Sequence, residues 1–242
     1  MNYNEEKYHL STSEINQTTS LSRTFMARVF SWMFLALTVT AVTAFIWVAN
    51  PSLMQTLIKP EGGLSMLGWI VMLAPLGFVL LMSFGFQKLS APLMMLLFIV
   101  YSVLMGMSFS FIFLIYEIST IGITFAITAG MFGVMAATGY VTKTDLTKFG
   151  SILMMGVIGI IIAMLVNFFL KSETMSYVIS VIGVLIFTGL TAYDVQKLKR
   201  IGMSIDNGST VATKMTIMGA LTLYLDFINL FLFLLRLFGG RK

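Results

Sequence analysis

Residues 215–238 read MTIMGALTLYLDFINLFLFLLRLF, a run apolar enough to cross a bilayer as one helix, with a single carboxylate, Asp226, in its middle. At a 1.5 Å rise per residue, a helix of this length spans the ~30 Å hydrocarbon core. An aspartate at the centre of such a helix costs roughly 2.5 to 3.5 kcal/mol on insertion-based scales, so it is a functional-site candidate by default. Thr222 stands four residues before it and Asn229 three after, and Arg236 extends this polar stripe two turns on.

The rest of the chain is built in the same way. Of its 242 residues 58% are hydrophobic and only 10% charged, far from the roughly 25% charged of soluble domains. Apolar runs separated by short polar connections give seven expected spans, at about 26–49, 64–86, 91–116, 119–141, 151–170, 176–198 and 214–237. They lack the period-two pattern of a membrane barrel, so the expected fold is all-α, a polytopic membrane protein with seven transmembrane helices. Asn50-Pro51 ends the first span, and Asp206-Asn207-Gly208-Ser209 is a turn cluster before the last. Two domains of unequal kind are expected: a polar, mobile N-terminal tail over 1–24 and a seven-helix membrane domain over 25–242.

Charge sets the expected topology. The N-terminal side collects ten Lys and Arg residues, among them Arg23, Arg28, Lys88 and Lys199, against five on the other side, where Arg236, Arg241 and Lys242 cluster. By the positive-inside rule the N-terminus, which carries no secretory signal, is cytoplasmic. The net charge of +5 is dispersed at helix ends, which points to topology and excludes a nucleic-acid surface. The fourth span carries two stripes of small residues, Gly122/Ala126/Gly130 and Ala129/Gly133/Ala137, which suggests a helix packed closely on two sides.

Cysteine is absent and His9 is the only histidine, which removes disulfides, thiolate chemistry, zinc clusters and the usual haem ligands. Nucleophile motifs and phosphate-cradling glycine loops are missing too, so the expectation is a protein that is not an enzyme and holds no cofactor. Any cation would have to meet oxygen ligands.

The ionisable groups in or beside the spans are Glu117, Asp194, Asp226 and Arg236. Glu117 reads as a solvated helix-end carboxylate. Asp194 follows Tyr193 near the end of the sixth span, with Lys197 and Lys199 a turn further on, and reads equally as a boundary residue or a functional one. If the sixth and seventh helices are antiparallel neighbours, Asp194 and Asp226 can approach, and two like charges that close cannot both ionise cheaply. Sharing a proton they would tie the helices together; without it they would repel and offer four oxygens to a hard cation such as Ca²⁺. The hydropathy places Asp226 about eleven residues, or ~16 Å, inside its span and Asp194 near the edge of its own, so they meet only if one helix is set differently.

Thr188-Gly189-Leu190-Thr191-Ala192-Tyr193-Asp194-Val195-Gln196-Lys197, together with Leu223-Tyr224-Leu225-Asp226-Phe227-Ile228-Asn229 and Leu234-Leu235-Arg236, resembles the signature of the Bax inhibitor family of transmembrane proteins. The resemblance implies a seven-helix fold with the last helix surrounded by the others, and a pH-sensitive calcium leak across the membrane. It also implies that Asp194 and Asp226 are the proton-sharing pair, with Asn229, Thr222, Tyr193 and Arg236 as supporting polar residues. In relatives of bacterial type an arginine at the cytoplasmic end of the second helix engages the pair. Here residues 83–88 contain no arginine, and the nearest cation is Lys88, which lacks a planar fork for two carboxylates.

The expected function is therefore a pH-sensitive calcium leak channel in a bacterial inner membrane, with the lipid bilayer and calcium ions as partners. Two alternatives stand beside it. One is a regulatory membrane protein that binds a protease or a cell-death factor, as members of the family are described. The other is an intramembrane aspartyl protease, although Leu223-Tyr224-Leu225 stands where a flexible Gly-x-Gly is expected before the second aspartate.

Overall fold

A computed structural model describes the backbone of residues 12–239 and the side chains from residue 19 onward. The first eleven residues of the expected tail, with His9, lie outside it, as do Arg241 and Lys242. The described residues form nine helices: α1 Thr12–Ala49, α2 Pro51–Leu57, α3 Met66–Gly85, α4 Ala91–Phe109, α5 Ile112–Ile115, α6 Ile118–Val141, α7 Thr147–Leu170, α8 Glu173–Ser204 and α9 Thr210–Phe238. Seven segments are long and apolar enough to cross a membrane, with α4 and α5 acting as one.

Local chemistry sets the boundaries. Ser65, Ser90, Ser172 and Ser209 cap α3, α4, α8 and α9 by accepting an amide from the first turn, the preferred use of serine at a helix start. Lys171 ends α7 in a left-handed conformation at φ 51°, where its amide donates to Asn167 O at 2.8 Å. The Ser172 amide then donates to Asn167 Oδ1, so two residues turn the chain from α7 into α8.

Several helices extend beyond their expected ends, and the extensions of α1 and α8 matter most. Residues 12–24, expected as part of a mobile tail, continue α1 as helix from Thr12. Ser22 Oγ donates to Lys199 O at 3.1 Å and Asn207 Nδ2 to Leu21 O at 2.8 Å, so the segment is held against the α8 end. α8 likewise runs six residues past the expected boundary at 198. Its cations are engaged by neighbours: Lys199 Nζ donates to Tyr140 O at 2.7 Å, and Arg200 pairs with Asp145 at 2.7 Å.

α9 is the axis of the bundle. It packs against α1, α4, α6 and α8, and 72% of its most apolar stretch is buried, against 6% for α7 on the rim. Around it run two layers of contact, α1 with α4 and α8 with α6 and α7, while α3 packs chiefly on α4. The rim helices turn large apolar side chains outward, as Ile158, Ile162 and Phe169 of α7 do, which suits lipid rather than water.

Close packing falls on different glycines from those expected. A Cβ at Gly122, Gly130 or Gly133 would meet open space, so the two α6 stripes are not close-packed interfaces within this chain. Near approaches include Gly139 of α6, whose Cβ would strike the Ala192 backbone of α8, and Gly183 of α8, where Phe233 of α9 fills the space. Backbones can draw together only where no side chain intervenes, and Gly139 is the residue that brings α6 onto α8.

Candidate functional site

α8 and α9 run antiparallel and set the site. Leu198 lies against Gly219 near one end and Gly183 against Phe233 toward the other, and Asp194 faces Asp226 between these two contacts. The extension of α8 to Ser204 places Asp194 ten residues, or ~15 Å, from the helix end, well inside the helix and not at the edge that hydropathy implies. The two carboxyl groups lie within hydrogen-bonding reach of each other. Both are buried, with 9% of Asp194 and 4% of Asp226 exposed.

A hydrogen bond between two carboxyls requires a proton on one of them. Asp226 Oδ2 is sealed from solvent, and no backbone amide, hydroxyl or side-chain nitrogen donates to it. The geometry is thus that of two carboxyls set side by side between two helices, an arrangement that only a proton carried by one of them can turn into a bond.

The surroundings are largely apolar. Phe125 and Phe132 of α6 meet Phe227 edge-on at 5.3 and 5.6 Å between ring centres. A small cavity of about 100 Å³ between α1, α6 and α9, lined by Thr40, Phe125, Phe227 and Phe231 among others, lies beside them. One turn from Asp194 on α8, the exposed Lys197 is the cation whose charge acts on Asp194. Among the described residues no group of three or more carboxylates and histidines forms, so the aspartates stand as a pair and not as part of a larger ligand cluster.

The supporting residues expected around the pair are engaged elsewhere. Thr222 Oγ1 donates to Met218 O and Asn229 Nδ2 to Leu225 O, each to its own helix. Tyr193 lies over Gly150 of α7, and Arg236 reaches Met164 Sδ at 3.8 Å and stacks near Phe233 at the far end of α9. Glu117 is exposed at the start of α6. Lys88 is exposed in the α3–α4 connection; the cation that engages this corner is Lys214 of α9, 5.0 Å from the Phe86 ring and donating to Gln87 O.

Two polar clusters were not foreseen. Tyr224, half a turn before Asp226, shares a 2.8 Å hydrogen bond with Thr40 of α1, whose hydroxyl also donates to Ser102 O of α4. This cluster joins three helices in the apolar interior beside the pair, and the hydroxyls on separate spans were the only trace of it in the sequence. The buried Gln196, two residues after Asp194, donates to Thr144 O and accepts from the Leu146 amide, which fastens the α6–α7 connection to α8.

A family model described as "Inhibitor of apoptosis-promoting Bax1" matches residues 22–242. The chain belongs to the Bax inhibitor family. Among similar proteins is the inner membrane protein YbhL of Escherichia coli strain K12, 48% identical over 221 residues that cover 91% of this chain and 93% of that one. An uncharacterized protein of Rickettsia prowazekii is 42% identical over 96% of this chain and 97% of its own length. The YrjE protein of Lactococcus lactis is 37% identical over 89% and 90%. This Bax inhibitor family member is a multi-pass integral membrane protein.

Proposed function

We propose that this protein is a passive Ca²⁺ leak whose opening is controlled by the proton shared between Asp194 and Asp226. The reading rests on one observation, two buried carboxyls in mutual hydrogen-bonding reach on adjacent bilayer-length helices. With the proton in place the pair ties α8 to α9. Removal of the proton leaves two like charges in a medium of low dielectric, which drives the helices apart and presents four carboxylate oxygens, suited to a hard cation.

The location proposed is a bacterial inner membrane, in keeping with the printed name of the E. coli relative, with the N-terminus in the cytoplasm on the side richer in Lys and Arg. No catalytic role is assigned to the pair. α8 and α9 are continuous helices through both aspartates, which offers no unwound segment to present a peptide for hydrolysis.

The test is Ca²⁺ efflux from loaded liposomes containing the purified protein, followed from mildly acidic to alkaline pH. Efflux should rise as pH rises, and the Asp194→Asn/Asp226→Asn double variant, which cannot gain charge, should lose the pH response. Unchanged pH-dependent efflux from that variant would end the proposal.

A further inference from the structure

α1 and α6 both pack on α8 and α9 and leave a lateral groove of about 570 Å³ between them. Its walls are Ala27 and Phe30 of α1 and Gly133 and Ala137 of α6, with Arg23 and Tyr140 at one end. The furrow in α6 is real space, since a Cβ at Gly133 would touch nothing within 4 Å. The groove runs from Arg23 to Phe30 on one wall and from Tyr140 to Phe132 on the other, ~10–12 Å along the helices, close to one leaflet's share of a ~30 Å core.

Its mouth is basic. Arg23 lines it, and no carboxylate among the described residues pairs with Arg23. Lys199 reaches the same end, its ammonium 4.8 Å from the Tyr140 ring centre, and its carbonyl is bonded by Ser22, next to Arg23. A groove with an apolar body ~10–12 Å long, Arg23 at its polar end and Lys199 beside that end, bonded to Tyr140 O, matches a molecule with an acyl chain and an anionic head.

The geometry points to a binding site for an anionic phospholipid, its acyl chain in the α1–α6 furrow and its phosphate at Arg23 and Lys199. The site lies in the leaflet on the N-terminal side and is separate from the aspartate pair. Because lipid in this position touches both α1 and α6, it bridges two helices that are each packed mainly on α8 and α9.

The full-length protein in detergent, exposed to equal amounts of phosphatidylglycerol and phosphatidylcholine with the same chains, tests this by native mass spectrometry of retained lipid. Phosphatidylglycerol should be retained in preference. Arg23→Gln should cut that preference about fivefold, the change expected from one arginine near an anionic head. Gly133→Leu, which fills the furrow from a position facing open space, should abolish preferential retention with the melting temperature unchanged, and Ala137→Leu serves as the second furrow variant should Gly133→Leu melt early. Equal retention of the two lipids, or a preference that survives Arg23→Gln and the furrow variants, would overturn the assignment. Disulfide-linked dimers of an Ala137→Cys variant, in a chain with no other cysteine, would overturn it in favour of a second protein copy in the groove.

Discussion

Asp145 is the titratable residue whose environment outside the membrane is most sharply defined. Hydrogen bonds from the Thr147 side chain and amide, and then the Arg200 guanidinium, hold its carboxyl well below the usual carboxylate range. A depressed native value means that the ionised form is favoured in the folded chain. Its stabilisation is present above the ordinary carboxylate value of about 4 and is lost as pH falls below that value. The carboxylate is exposed, so salt screens the effect. Protection of the amides in the 142–146 connection, taken as exchange relative to an unstructured chain at the same pH, should therefore be constant from neutral to weakly acid pH and fall only in stronger acid, while Asp145→Asn should remove that acid step. Tyr224 makes a contrasting case in the interior. Tyr224→Phe keeps the ring packed on Tyr101 and Phe98 but deletes the bond to Thr40, and should cost about 1 kcal/mol in a melting experiment. A loss near zero would mean that Thr40 is satisfied by Ser102 alone.

Helix α6 separates glycines that pack from glycines that do not. Gly139→Val would drive a branched side chain into the Ala192 backbone, and should destabilise by about 1–3 kcal/mol or more as α6 is pushed from α8. Gly130→Ala faces open space and replaces a poor helix former, so its melting temperature should match or exceed that of the parent. Equal losses at the two positions would refute this division. Small-residue spacing could not make the distinction, because it records where an approach is allowed and not which helix arrives. The spans were legible because a bilayer demands about 20 apolar residues in a row. The end of α8 was not, since Lys197, Lys199 and Arg200 imitate a membrane boundary until Tyr140 and Asp145 are seen to hold the last two. Asp226 stood out as a carboxylate in an apolar run, whereas Asp194 read equally as a boundary residue; their approach was conditional on antiparallel neighbours, and the family resemblance was what implied the pair. The Thr40–Tyr224–Ser102 cluster and the role of Gln196 stayed hidden because hydroxyls and amides are common in membrane helices and their partners are far away in sequence.

At the scale of the molecule, the arrangement makes the two sides of the bundle unequal. The ends on the N-terminal side are laced together: Ser22 to Lys199, Arg28 to Asn207, Tyr140 to Lys199 and Gln87 to Lys214. The opposite side opens into a polar recess of about 570 Å³ among Tyr116, Glu173, Tyr177 and Arg236. Asp194 stands ten residues, ~15 Å along the axis, from the laced end of the 32-residue α8, and about twice that from its other end. Lys197, exposed one turn from Asp194 toward the laced end, sets a charged side chain on that side of the pair. The shorter path for a proton is therefore from the N-terminal side. If the shared proton governs opening, Ca²⁺ flux in vesicles of known orientation should follow the pH on that side and ignore moderate changes on the other. Orientation can be fixed independently with single cysteines at Glu61 and Ser90, on connections at opposite ends of the bundle, labelled by an impermeant reagent in a chain that has no cysteine of its own. Flux that tracked the pH of the recess side instead would place the proton path along α5, α9 and Arg236, and would reverse the direction in which the pair is reached.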